Sequence, residues 1–163
     1  MSWSDRRSFV LAACAAALAG CGFTPVYAPG GDAARLQGQI AFSAPGTRAG
    51  FDLRARLEER LGAATAGRYA LDVVPSVRSE GLGSTRDGRT SRFQLVGSAA
   101  FTLSDAEGGT VLAEGEVDGF TGYSTTGSIV ATEAARRDAE TRLMGLLADR
   151  IVDRLLLAAP DLS

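Results

Sequence analysis

The sequence predicts an α+β fold, a two-layer sandwich whose four-stranded, mainly antiparallel sheet is covered on one face by two helices. Three observations carry this. Four segments alternate apolar and polar residues with period two, as strands with one buried face do. Two segments repeat leucine or alanine every four residues, which lines up one apolar stripe on a helix. Their order is β-α-β-β-β-α, and it closes most economically with both helices on the same side of the sheet.

In chain order, Leu36, Gly38, Ile40 and Phe42 alternate with Gln37, Gln39, Ala41 and Ser43, giving the first strand. Pro45-Gly46 breaks it. Leu53, Leu57 and Leu61 then share one helical face with charged residues elsewhere, so a helix runs from about Arg48 to Leu61 and ends at Gly62. Tyr69, Leu71, Val73 and Val77 mark a second strand, in which Pro75 requires an edge position or a bulge. Ser79 to Arg89 reads as a glycine-rich loop longer than a hairpin needs. Phe93, Leu95, Gly97, Ala99, Phe101 and Leu103 form the third strand, and Asp105-Ala106-Glu107-Gly108-Gly109 is a hairpin turn. Val111, Ala113, Gly115 and Val117 form the fourth. From about Ser128 to Ala158 the helical period returns through Ala135, Ala139, Leu143, Leu147, Ile151 and Leu155, supported by Met144 and Leu146. Glu133 with Arg137 and Arg136 with Glu140 are spaced to pair on its outer face, and Pro160 stops it. The uncovered face of the sheet would carry Glu114, Glu116, Arg92, Gln94 and Thr102, polar enough to meet water or a polar partner.

Ahead of this domain, Arg6 and Arg7 precede an apolar run, Phe9 to Ala19, which ends in Gly20 and Cys21. Arginines hold the N-terminus on the cytoplasmic side, the run enters the bilayer, and small residues admit a peptidase. The run of about eleven residues is far short of the roughly 20 needed to span a bilayer. The pattern is that of a lipoprotein signal with Cys21 as the lipid attachment point; an ordinary secretory peptide with an incidental cysteine competes with it. Arg6-Arg7-Ser8-Phe9-Val10 also fits a twin-arginine signal, so the export route stays open. The organisation expected is a signal peptide over 1–20, a lipidated tether over 21–34, an α+β domain over 35–159 and a tail over 160–163. Glycine after Cys21, where aspartate would retain the protein inside, points to the outer membrane.

Composition narrows the chemistry. All 17 basic residues are arginine, histidine is absent, and the net charge is −2, which draws no nucleic acid. Cys14 leaves with the signal and Cys21 takes lipid, so no disulfide forms. Without histidine, lysine or a free thiol, nucleophile-and-base arrangements fail, and neither a metal cluster nor a cofactor motif stands out. The sequence therefore reads as non-enzymatic, with the covalent lipid on Cys21 in place of any cofactor. Glu114, Glu116 and Asp118 alternate on one strand face and admit a hydrolase or calcium reading, against the plainer one of a solvated or partner-facing stripe. Gly81-Leu82-Gly83 lacks the third glycine and following helix of a nucleotide loop. Arg78, Arg86, Arg89 and Arg92 make a small basic patch around Glu80 and Asp87; it is either ordinary surface or a site for phosphate or carboxylate groups.

Several stretches are similar to those of the LptE family, the lipopolysaccharide-assembly lipoproteins. They are Cys21-Gly22-Phe23-Thr24-Pro25-Val26-Tyr27, Thr90-Ser91-Arg92, Leu103-Ser104-Asp105, Tyr123-Ser124 after the fourth strand, and the alanine-rich last helix from near Ala131. The resemblance spans nearly the whole chain and is strongest to alphaproteobacterial members. It implies a lipid-anchored protein on the periplasmic side of the outer membrane that plugs the LptD β-barrel one-to-one, helps it assemble, and binds lipopolysaccharide. By position, Arg86, Arg89 and Arg92 are the expected ligand contacts, on a loop that reaches into the barrel. Relatives commonly use lysine there, which this chain lacks. The competing expectation is an auxiliary lipoprotein of an ABC-type phospholipid transport system.

Overall fold

The computed structural model describes residues 32–84, 90–125 and 128–161. A five-residue helix, α1 (Asp32–Leu36), leads into β1 (Ile40–Ser43), α2 (Arg48–Leu61), β2 (Tyr69–Ser84), β3 (Thr90–Asp105), β4 (Val111–Ser124) and α3 (Ile129–Ala158), with a 3₁₀ turn over Ala159–Asp161. The sheet order is β1-β2-β3-β4, with β1 parallel to β2 and the other two pairings antiparallel. Both long helices lie on one face, as the apolar periodicities require. No described helix is long and apolar enough to cross a membrane.

Local chemistry accounts for the element boundaries. Thr47 caps α2 by accepting from the Gly50 amide at 3.1 Å. Gly62 ends α2 at φ +78°, a conformation that side-chain-bearing residues avoid, with its amide bonded to the Glu58 carbonyl at 2.8 Å. Ser128 caps α3 through the Ala131 amide. Pro75 stands beyond the end of β1, where β2 has become an edge, so its missing N–H costs no ladder bond.

The core lies between the helices and the sheet. Leu53, Leu57 and Leu61 of α2 and Leu143, Leu147 and Ile151 of α3 are buried against Leu71, Leu95, Leu103 and their neighbours. Burying one such side chain contributes about 1.5–3 kcal/mol. An ion network ties the helices together at the rim: Asp149 of α3 meets Arg60 at 2.7 Å and Arg56 at 3.4 Å. Hydrogen bonds to Glu59 and then to Asp149 raise the Arg56 pKa.

Several expectations need correction. The first strand begins at Ile40, because Leu36 closes α1 with its side chain fully buried, and residues 32–34, read as tether, belong to that helix. Ser79 to Ser84 continue β2 instead of forming a loop, pairing with β3 through register shifts at Gly81, Gly83 and Ser84. Tyr123 and Ser124 lie within β4. On α3, Glu133 pairs with Arg136 at 3.4 Å, not with Arg137, while Leu146 is 36% exposed and Ala135 only partly buried.

Candidate functional site

The β2–β3 hairpin end is where the basic patch belongs. Each of these strands has 16 residues, so the ribbon is about 50 Å long. That exceeds what the core needs. Among the described residues, no side chain is fully buried at this end beyond Leu95 on β3 or before Ala139 on α3. Ribbon and helix start together form an arm standing off the packed domain.

Strand alternation divides the arm's side chains between two faces. Arg92, Gln94, Thr102, Glu114 and Glu116 share the sheet's outer face, as the sequence predicts, and the register adds Arg78 and Glu80 to them. Arg92 is exposed, opposite Gly83 on β2 and Ser124 on β4. Among the described residues it forms no ion pair, whereas Arg78 is held by Glu80 at 2.8 Å. Arg86 and Arg89 lie outside the described residues, as do Cys21, the expected signal peptide and residues 21–31 of the tether. Of the predicted contacts, the structure therefore places Arg92 alone, on the outer face near the hairpin tip.

The arm's inner face is aromatic. Phe93 and Tyr123 stack with centroids 5.4 Å apart and an interplanar angle of 16°. Apolar side chains also reach solvent at this end, with Leu82 59%, Ile129 85% and Val130 79% exposed. Sequence reasoning missed these; the visible signal was a pair of β-branched residues opening α3 where a polar first turn is usual. Among the described residues, this end therefore presents Arg92 without an ion pair on its outer face and apolar side chains at its rim.

The acidic stripe is solvated. Glu114, Glu116 and Asp118 are exposed at alternate positions on β4, with Arg150 beside Asp118 at 3.9 Å. Among the described residues, the groove beside β4 is lined by Glu116 and Asp118 but not by Glu114. Among the described residues, no group of three or more histidine, cysteine, aspartate or glutamate side chains is arranged to hold a metal.

Comparison with known proteins gives the arrangement its context. The family model described as "LptE: Lipopolysaccharide-assembly" matches residues 35–155. No curated protein sequence matches. Among solved structures, a protein from Caulobacter crescentus CB15 described as a lipoprotein is similar at 26% identity and TM-score 0.67, covering 80% of this chain and 98% of its own. Rare lipoprotein B from Shewanella oneidensis shares the fold at 14% identity and TM-score 0.59, covering 76% and 96%. A minor lipoprotein from Acinetobacter baumannii does so at 17% identity and TM-score 0.58, covering 74% and 91%.

Proposed function

The chain belongs to the LptE family of lipopolysaccharide-assembly lipoproteins, which are not enzymes, and from that premise we propose that it plugs an LptD-like β-barrel in a one-to-one complex. In this reading Cys21 carries the lipid that anchors the protein to the periplasmic side of the outer membrane. Several acyl chains, at about 0.8 kcal/mol per buried CH₂, give stable attachment. The tether then lets the domain enter the barrel from below.

The observation that carries the reading is the arm. A two-stranded ribbon that outruns its own core suits a wide lumen, because its outer face carries Arg78, Glu80, Arg92 and Gln94 among apolar Val74 and Val96, and its backbone pairing needs no help from the barrel. Arg86, Arg89 and Arg92 are proposed to meet lipopolysaccharide phosphates through bidentate guanidinium contacts. The exposed Leu82, Ile129 and Val130 offer apolar surface to hydrocarbon at the same end.

Affinity purification of the native lipoprotein from detergent-solubilised outer membrane tests this. The expected result is a large β-barrel recovered in equal amount. Recovery of an inner-membrane ABC-type transporter, with no barrel, would reject the plug and favour the auxiliary-lipoprotein reading.

A further inference from the structure

β4 is the last strand of the sheet, and among the described residues its outer side has no neighbouring strand. Odd-numbered positions at its end bond towards β3, as the Thr125 amide does to the Ser91 carbonyl at 3.0 Å. In an antiparallel ladder this turns the N–H and C=O groups of the even-numbered residues outward. Two of those outward carbonyls are occupied by α3: Arg150 donates to that of Asp118, and Arg142 donates to that of Gly122 at 3.3 Å. Side chains that cap an exposed strand edge in this way block unwanted pairing.

The capping is confined to one half. Among the described residues, no side chain caps the edge from Val111 to Glu116. At the Glu116 end of that stretch, between β4 and the C-terminal part of α3, lies a groove of about 290 Å³, lined by Glu116, Asp118, Arg150, Asp153, Arg154 and Leu157 among others. Leu157 is 77% exposed and Val111 52%. A strand added here would turn one set of alternate side chains towards Leu157 and the other towards Glu114, Glu116 and Asp118. The exposed Leu157 and Val111 favour apolar residues in the first set, beside the mixed charges of Arg150, Asp153 and Arg154, and the carboxylates favour cationic residues in the second.

We infer that the Val111–Glu116 edge of β4 is a docking site for an extended segment of a partner protein, in which apolar residues alternate with arginine or lysine. Backbone hydrogen bonds to Glu114 and Glu116 supply the attachment, and the acidic stripe selects the sequence. Charge argues against a second copy, because antiparallel pairing of β4 with itself would set the three carboxylates opposite one another. The inference stands on the edge itself and does not depend on the barrel reading.

The test uses the full chain and a capped peptide of about seven residues alternating valine and arginine, a usual strand length. The peptide should slow hydrogen exchange at the Glu114 and Glu116 amides. Replacing its arginines by glutamate should weaken binding about tenfold or more, a loss of about 1.4 kcal/mol. Glu116→Pro removes an outward N–H without touching the β3 ladder and should abolish the protection at Glu114. Should that variant fold poorly, Glu114→Arg with Glu116→Arg should reverse the preference in favour of the glutamate peptide. Unchanged exchange with the arginine peptide would overturn the inference, as would equal binding to Glu116→Pro. Protection that appears without peptide and rises with protein concentration would assign the edge to a second copy and overturn it equally.

Discussion

Asp105 shows how much one side chain can fix. Its Oδ1 accepts from the Glu107 amide at 2.8 Å and the Gly108 amide at 3.2 Å, closing the β3–β4 turn from inside. Those two amides, the Glu107 one first, stabilise the carboxylate and hold its pKa below the ordinary 3.8. A depressed folded-state value gives stability that is fully present above the unfolded pKa and is lost as pH falls through the folded one. Denaturation midpoints of the native chain and of Asp105→Ala should therefore differ at neutral pH and converge on acidification below the unfolded value of 3.8. A gap that persists into strong acid would show that the carboxylate charge is irrelevant. The turn is legible in the sequence because its determinants are neighbours: aspartate first, glycines last. The Arg60–Asp149 contact is not, since 89 residues separate the partners and nothing in their spacing links them.

Elements were legible where apolar residues mark the buried face, and obscured where close packing excludes side chains. On β4, Val117 is followed inward by Gly119 and Thr121, so the alternation fades and the strand seems to end early although it continues to Ser124. Gly119 is small because a Cβ there would run into Leu146 of α3. Thr121 is polar because its hydroxyl donates to the Ala139 carbonyl at 3.0 Å. Likewise β2 reads as a loop after Arg78 because Ser79, Gly81 and Gly83 carry no apolar signal, yet backbone pairing with β3 holds them. Gly97 is the tightest of these helix contacts to relieve: its Cβ would stand 2.8 Å from Leu143 Cδ2 and 3.1 Å from the Ser76 carbonyl oxygen. Leu143 is fully buried and has nowhere to move, whereas Leu146 is 36% exposed and can swing aside. Gly97→Val should accordingly cost about 1–3 kcal/mol of overpacking, and Gly119→Ala well under that. Urea denaturation of the two variants checks the ranking. Equal losses would mean that α3 rides over both strands with the same freedom.

At the scale of the whole molecule, the packed core and the proposed ligand contact lie at opposite ends. The core fills the end where α2, β1 and the C-terminal half of α3 converge, and the arm contributes no fully buried side chain among the described residues. Polarity can therefore change on the arm with little effect on folding, since surface substitutions away from packed features usually stay within about 0.5 kcal/mol. This separation makes the proposed lipopolysaccharide contact testable without ambiguity from misfolding. Arg86→Glu combined with Arg89→Glu turns two positive charges into two negative ones a few residues ahead of Arg92 in the chain, opposing any phosphate that approaches. Binding of purified lipopolysaccharide should fall about tenfold or more, given that hydrogen bonds to charged groups contribute about 1.5–3 kcal/mol each. The thermal midpoint should stay within a few degrees of the native one. Arg78→Glu is the internal control, because Glu80 already engages Arg78 and its loss should matter less. If the double reversal leaves binding intact, Arg86 and Arg89 do not contact the ligand, and polar substitutions at Leu82, Ile129 and Val130 test the apolar rim instead.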